Sequence, residues 1–252
     1  QLAGHLAATT PVVSLTKGLE PSEPSGFRLM SEVVAEVLPD NPVGVLSGPN
    51  LAREIAGGQI AGSVIASSNE QLIQTCRKLL HGGNFRLYNS HDMYGVELGG
   101  ALKNVYAILF GLCAALELGE NTVGMLLTRS LAEISRFSAQ LGANPLTFLG
   151  LAGVGDLLVT SSSPLSRNYR VGFALGKGQA LESVLTEMGQ VAEGVNTLSL
   201  LHRESLRRQI KMPLVSGLYA IVYEGKTAWQ VLRRMLVLEQ LEDVEYVASP
   251  NA

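Results

Sequence analysis

Cysteine is scarce in this sequence, with two in 252 residues, Cys76 and Cys113. Each sits in an apolar, helix-like stretch, TCRKLL and FGLCAAL. They lack the spacing of metal ligands, and two buried free thiols suit a reducing cytosol. The four histidines, His5, His81, His91 and His202, are far apart. None forms HxxxH or HExxH, so no histidine metal site is expected. Charge is also sparse, at 16% of residues and net −3. That balance carries no clustered basic excess and argues against a nucleic-acid partner. The single basic group, Arg203, Arg207, Arg208 and Lys211, reads as a solvated helix face. With 46% hydrophobic residues and slightly positive mean hydropathy, disorder is excluded and a sizeable core is expected. The longest apolar run, about 105–118, falls short of the ~20 residues that span a bilayer. It reads as a buried core helix. The opening QLAGHLAATTPVV has no initiator Met and no basic stretch of the secretory kind, and is expected to begin inside a fold.

Short β-branched runs alternate with helical spacing over the first third of the chain. Strands are expected at 12–15, 42–46, 63–66 and 84–88, and helices at 28–38, 51–56 and 70–82. PSEPSG (21–26) reads as a turn-rich break. Asn50 is expected to cap the second helix, and Ser68 or Asn69 the third. Such alternation is the mark of an α/β sheet layer. From residue 91 the pattern turns helical: 92–118, 121–141, then 145–150, 168–176, 181–188, 196–209, 213–224 and 227–233. The fold class expected is an α/β part with an incomplete Rossmann-type sheet over 1–90, followed by an all-α domain over 91–252. An open parallel sheet binds ligands beyond the carboxyl ends of its strands. That directs attention to Lys17–Gly18, to 47–49 and to the stretch after Tyr88.

Five constellations could carry chemistry, and the residues alone leave each of them open. Lys17, one of only six lysines, ends the first strand in Thr16-Lys17-Gly18; it could equally be an ordinary loop lysine. SGPN (47–50) joins a strand to a helix N-terminus, where anions bind readily, but it is also ordinary turn chemistry. In ELGGALKN (97–104), Gly99 and Gly100 lie one turn before Lys103 inside an apolar helix. Each helical glycine costs about 1 kcal/mol relative to alanine, so the pair suggests close approach by a partner helix or a ligand. A lysine in so dry a setting has a depressed pKa, unless it snorkels to solvent. GLAGVGDLLVTSSSPLSRN (150–168) holds Asp156 and then Ser166, Arg167 and Asn168 at a helix start. That group suits a phosphate ester. Its glycines read GxxGxG with no preceding strand, so it is not a dinucleotide fingerprint. In GQVAEGVNT (189–197), Glu193 could meet a ribose or amide, or merely stand in a capped loop before a helix near 197.

Taken in order, TKGLE, SGPN, ELGGALKN, GVGD, SRN and VAEG resemble the NAD(P)-dependent glycerol-3-phosphate dehydrogenase family of the bacterial and plastid type. The likeness runs from residue 12 to about 229. The resemblance implies reduction of dihydroxyacetone phosphate to sn-glycerol 3-phosphate with NADPH or NADH, feeding glycerophospholipid synthesis. It implies that Lys103 is the catalytic lysine, that Lys17 meets both substrate and cofactor, and that Asp156 orients the lysines. Gly48, Asn50, Ser166, Arg167 and Asn168 would complete the substrate site, with Arg167 also near the cofactor. Ala52, Val191 and Glu193 would lie against the cofactor.

The family's opening strand, GxG-rich turn and helix do not occur before Lys17 in this sequence. For this chain alone, weak cofactor binding and little activity are therefore expected. Position 50 is Asn where relatives often carry Thr; both form hydrogen bonds. Two alternatives remain open: a related two-domain dehydrogenase of the 6-phosphogluconate or ketopantoate reductase type, and an inactive remnant serving as a helical interaction domain. A cytoplasmic location, or the plastid stroma in a eukaryote, is expected. So are a small phosphate-ester substrate, no membrane span and no metal. A homodimer is possible.

Overall fold

The first β-branched run forms β1, Val12–Ser14. A computed structural model describes residues 4–23, 26–189 and 191–237, with the side chains of 235–237 left aside. After β1 come β2 (Leu19–Ser22), β3 (Gly26–Leu29), α1 (Met30–Val37), β4 (Val43–Ser47), α2 (Ala52–Ala56), β5 (Ala61–Ala66), α3 (Glu70–Leu80) and β6 (Phe85–Ser90). The main sheet has the order β1-β4-β5-β6.

The alternation of strand and helix is as expected, with three departures. On either side of the expected break, Leu19–Ser22 and Gly26–Leu29 pair as antiparallel strands of a hairpin, with Leu19 opposite Leu29 and Ser22 opposite Gly26; residues 24 and 25 lie outside the described residues. Arg28 and Leu29 thus belong to a strand, and α1 starts at Met30. The sheet is mixed: β1 with β4 and β5 with β6 are parallel, but β4 with β5 is antiparallel. The eleven-residue α3 carries the crossover between parallel strands, whereas only the five-residue α2 lies between β4 and β5. Asn50 does not cap α2; Leu51 stands at that position, and no side chain caps this helix. Asn69 does cap α3, its Oδ1 accepting from the Leu72 N–H at 2.9 Å.

Helices follow from residue 93: α4 (Met93–Ala115), α5 (Glu120–Ala139), a 3-10 turn (Pro145–Leu149), a π-turn (Leu151–Gly155), α6 (Asp156–Ser162), α7 (Arg167–Gly176), α8 (Leu181–Met188), α9 (Glu193–Arg207), α10 (Pro213–Val222) and α11 (Ala228–Val237). Asp92 starts α4 by accepting from the Gly95 N–H at 2.9 Å. By length and composition α4 could cross a membrane, but 94% of its most apolar window is buried inside the fold. It is the core helix that its sequence predicts. Cys76 and Cys113 are both free and buried.

Glycines let α7 lie against α4 almost backbone to backbone. A Cβ on Gly172 would overlap the Ile108 carbonyl, one on Gly111 the Tyr169 carbonyl, and one on Gly176 the Ala115 side chain. Ile108 faces Gly172 and Leu112 faces Gly176, so the two helices run in the same direction. The N-terminus of α7 is thereby brought level with Lys103 and Asn104. The basic group on α9 is more than a solvated face. Arg207 and Arg208 pair with the buried Glu204, and Arg203 donates to the Gly26 carbonyl at 3.2 Å, which ties α9 to the hairpin.

Candidate active site

One face of α4 organises the site. Residues three and four apart share a helix face, so Gly99, Gly100 and Lys103 point the same way. Gly99 meets the π-turn, and Gly100 meets Ser47 at the carboxyl end of β4. The sequence expectation of a close approach at this glycine pair is met from both sides.

Lys103 is buried, with 6% of its side chain exposed, and Asp156 at the head of α6 has 2%. The Lys103 Nζ donates to Asp156 Oδ1 and to Thr160 Oγ1, the latter at 2.6 Å. Asp156 and Thr160 lie one turn apart on α6, and the threonine hydroxyl also reaches the carboxylate at 3.3 Å. Lys17, after β1, donates to Asp156 Oδ2 at 2.7 Å and to the Gly48 carbonyl at 3.0 Å. An ammonium has three N–H donors. Each lysine therefore keeps one donor that no atom of the described residues engages.

The local sequence explains how these groups meet. Gly48 has φ of +137°, and a Cβ there would sit 3.1 Å from the Ser63 Cα. Only glycine turns its carbonyl to Lys17 in that space. π-turns recur at functional sites, and this one hands the chain directly to Asp156. The Asn104 Nδ2 donates to the Lys17 carbonyl at 3.0 Å and so holds the TKG loop against α4.

Burial pulls the Lys103 ammonium down to about 8. The Asp156 carboxylate works against that pull, and the Lys17 charge adds to it. Two cations and one anion leave the cluster one positive charge in excess. Such a group suits an oxygen on which negative charge develops.

Ser166 caps α7, its Oγ accepting from the Tyr169 N–H at 3.3 Å. Arg167 is the first residue of that helix; it is exposed and has no ion-pair partner among the described residues. Asn168 is buried, and its Oδ1 accepts from the Gly194 N–H at 3.0 Å. A Cβ on Gly194 would overlap the Asn104 carbonyl. The starts of α7 and α9 and the middle of α4 thus meet at one junction. Glu193 heads α9 rather than standing in a loop, so this helix starts earlier than its sequence suggests. A Cβ on Gly18 would lie 3.8 Å from the Glu193 Cδ, which puts that carboxylate beside the TKG loop.

Of the residues singled out from the sequence, Lys17, Gly48, Lys103 and Asp156 are in direct contact. Asn168 and Glu193 border them through Gly194 and Gly18, with Ser166 and Arg167 alongside. The Asn50 Oδ1 accepts from Ser63 Oγ at 2.5 Å and so faces β5. Ala52 and Val191 are exposed. Thr160 and Asn104 were not anticipated. The i, i+4 spacing of Asp156 and Thr160 was the available signal, had DLLVT been read as a helix.

The same chain matches two family models. Residues 1–73 match the N-terminal part of NAD-dependent glycerol-3-phosphate dehydrogenase, and residues 92–233 match its C-terminal part. The chain belongs to the NAD-dependent glycerol-3-phosphate dehydrogenase family. A glycerol-3-phosphate dehydrogenase (NAD(P)+) of Pseudomonas syringae pv. tomato is 55% identical over 237 residues, which are 94% of this chain and 69% of that protein. One from Pseudomonas aeruginosa is 54% identical over 250 residues, 98% of this chain and 73% of that one. The crystal structure of glycerol-3-phosphate dehydrogenase from Coxiella burnetii superposes with a TM-score of 0.87 at 36% identity, covering 94% of this chain and 72% of that one. The yeast enzyme, from Saccharomyces cerevisiae, gives 0.82 at 27% identity, with 94% and 71% covered. Membership in this dehydrogenase family agrees with a cluster that offers N–H donors and positive charge to an oxygen.

Proposed function

We propose that the chain is an oxidoreductase that interconverts dihydroxyacetone phosphate and sn-glycerol 3-phosphate with NAD(P)H. The observation that carries this reading is the pair of ammonium groups joined by Asp156, each with one donor that the described residues leave open. Family membership supplies the substrate class.

The residues fit a nicotinamide dinucleotide. Arg167 is a cation at a helix N-terminus with no ion-pair partner among the described residues, suited to phosphate. Glu193 is a half-buried carboxylate with no hydrogen-bond partner among the described residues, suited to ribose or amide groups. Val191 and Ala52 offer exposed apolar surface. When bound, the cofactor supplies the hydride that reduces the carbonyl carbon.

The chain's own residues then act on the oxygen. Lys103 gives a proton from Nζ to the oxygen that takes up the carbonyl electron pair, and receives it back in the oxidation direction. Lys17 lends its free N–H to the same developing charge. Asp156 and Thr160 aim the Lys103 ammonium, and the Gly48 carbonyl aims Lys17. Ser166, Arg167 and Asn168 hold the substrate phosphate, and that remote binding energy positions the carbonyl. Gly48 and Asn50 border the substrate. The reading includes a cytoplasmic location, in keeping with two unpaired thiols.

The test has two arms. Purified chain is assayed for NADPH oxidation with dihydroxyacetone phosphate and, separately, with ketopantoate. Amine labelling of Lys103 is followed with and without sn-glycerol 3-phosphate. Turnover of dihydroxyacetone phosphate alone, with labelling slowed by glycerol phosphate, supports the reading. Turnover of ketopantoate, or labelling indifferent to glycerol phosphate, removes it.

A further inference from the structure

We propose that Gly99 and Gly100 are positioning residues that set the spacing between Asp156 and the two lysines. Gly99 seats the π-turn that ends in Asp156, and Gly100 seats Ser47 and the stem of Lys17. The inference rests on the reading of Lys103 as proton donor.

The geometry is specific. A Cβ on Gly99 would lie 2.5 Å from the Ala152 carbonyl oxygen and 3.5 Å from the Phe148 ring. A Cβ on Gly100 would lie 2.7 Å from Ser47 Oγ and 3.5 Å from Lys17 Cγ. The 2.5 and 2.7 Å approaches are closer than carbon and oxygen tolerate, so a methyl group at either position must shift that neighbour by up to about 1 Å, whereas the two 3.5 Å contacts are ordinary. On the Gly99 side the neighbour is backbone, four residues before Asp156. On the Gly100 side it is a hydroxyl on the strand whose next residue, Gly48, accepts from Lys17. Gly99 and Gly100 stand four and three residues before Lys103 on the same face. The distances among the three charged groups are therefore set by how closely each side rests on this helix.

Ser47 makes the idea separable from mere packing. Its hydroxyl is buried and has no hydrogen-bond partner among the described residues. The Ser47 Cβ is 3.8 Å from the position a Gly100 Cβ would take, an ordinary contact. Removing the hydroxyl therefore relieves the Gly100 side and leaves the Gly99 side unchanged.

The experiment uses the full chain with G99A, G100A, S47A, S47A/G99A and S47A/G100A. The main readout is the pH midpoint of Lys103 amine labelling, followed by peptide mass spectrometry, which needs no turnover. Thermal melting and kcat and KM for dihydroxyacetone phosphate accompany it. G100A moves the labelling midpoint by about one pH unit, as Lys17 leaves its place beside Lys103. Its kcat falls on the order of 100-fold, the scale of a 1 Å misplacement, with a smaller change in KM. S47A/G100A returns both to within about threefold of S47A. G99A is impaired to a similar degree, and S47A does not rescue it. If G100A does not fold, the folded S47A/G100A variant still decides by its midpoint. A G100A midpoint equal to that of wild type, or an S47A/G100A midpoint displaced from that of S47A, overturns the proposal. Midpoints that shift as stated, with Lys103 labelling indifferent to sn-glycerol 3-phosphate in every variant, support the positioning role and remove the dehydrogenase reading instead.

Discussion

Asp156 holds Lys103 with one carboxylate oxygen and Lys17 with the other. The three groups come from stretches 139 and 53 residues apart in sequence, and the carboxylate is all but sealed from water. Removing one member of a buried ion pair strands the others. D156A leaves two ammoniums facing each other without compensation. We expect a loss of about 3 kcal/mol of stability, read by urea unfolding, and a Lys103 labelling midpoint below that of wild type. A variant as stable as wild type, with Lys103 unshifted, would show that the carboxylate is incidental to the lysines.

The depressed Lys103 ammonium sets a pH signature. Burial brings it down to about 8, and the donor in the reduction direction is the protonated form. Reduction of dihydroxyacetone phosphate should be flat below that value and fall about tenfold per pH unit above it. Oxidation of glycerol 3-phosphate needs the neutral amine, so its limb runs the other way. Steady-state kcat/KM in both directions from pH 6 to 10, which reports the groups of the free chain, checks the sign. Parallel profiles would remove Lys103 as the shared acid and base.

A second buried ionisable group lies away from this cluster. Glu133 of α5 accepts from the Leu214 N–H at 2.6 Å, the Val215 N–H at 3.2 Å and the Tyr106 hydroxyl at 3.1 Å. It thereby fastens the start of α10 to α4 and α5. Burial holds its carboxyl up to about 7, against an ordinary 4.5. Between those values the folded state binds a proton that the unfolded state releases. Its contribution to stability is therefore present in full below about pH 4.5 and lost as pH rises through about 7. The difference in unfolding free energy between wild type and E133Q should shift by a few kcal/mol between pH 4.5 and 8. A difference that does not change with pH would mean that Glu133 is ionised throughout.

The sequence made the helices and the site's chemistry legible for different reasons. α4 announced itself by an apolar run too long for a strand, and Lys103 by standing inside it. The start of α7 was legible because Ser166 is a good cap. The antiparallel β4–β5 pair was not, since strand direction depends on the path of the connection, and short strands look alike either way. Asn50 misled because the same amide that caps helices can instead accept from a serine on β5. The π-turn was hidden by its glycines, which read as loop. Gly153 lies against the backbone of Phe148 just before the turn, and the Ala152 carbonyl rests on Gly99; only the second is a tertiary contact, and no local propensity records it.

Arg167 separates binding from folding. It is exposed, opens α7 and has no ion-pair partner among the described residues. Substitutions of such surface groups change stability by about 0.5 kcal/mol or less, so R167A should melt within a degree or two of wild type. A charged hydrogen bond to phosphate contributes about 1.5–3 kcal/mol, which corresponds to a rise in KM for dihydroxyacetone phosphate of roughly 10- to 150-fold. R167K should recover only part of the loss, because a point charge lacks the fork that grips two phosphate oxygens. The comparison that matters is with a substrate lacking the phosphate, dihydroxyacetone itself, whose weak turnover should not change in R167A. If both substrates suffer alike, the arginine supports the helix or the cofactor rather than the phosphate. If neither does, the phosphate sits elsewhere.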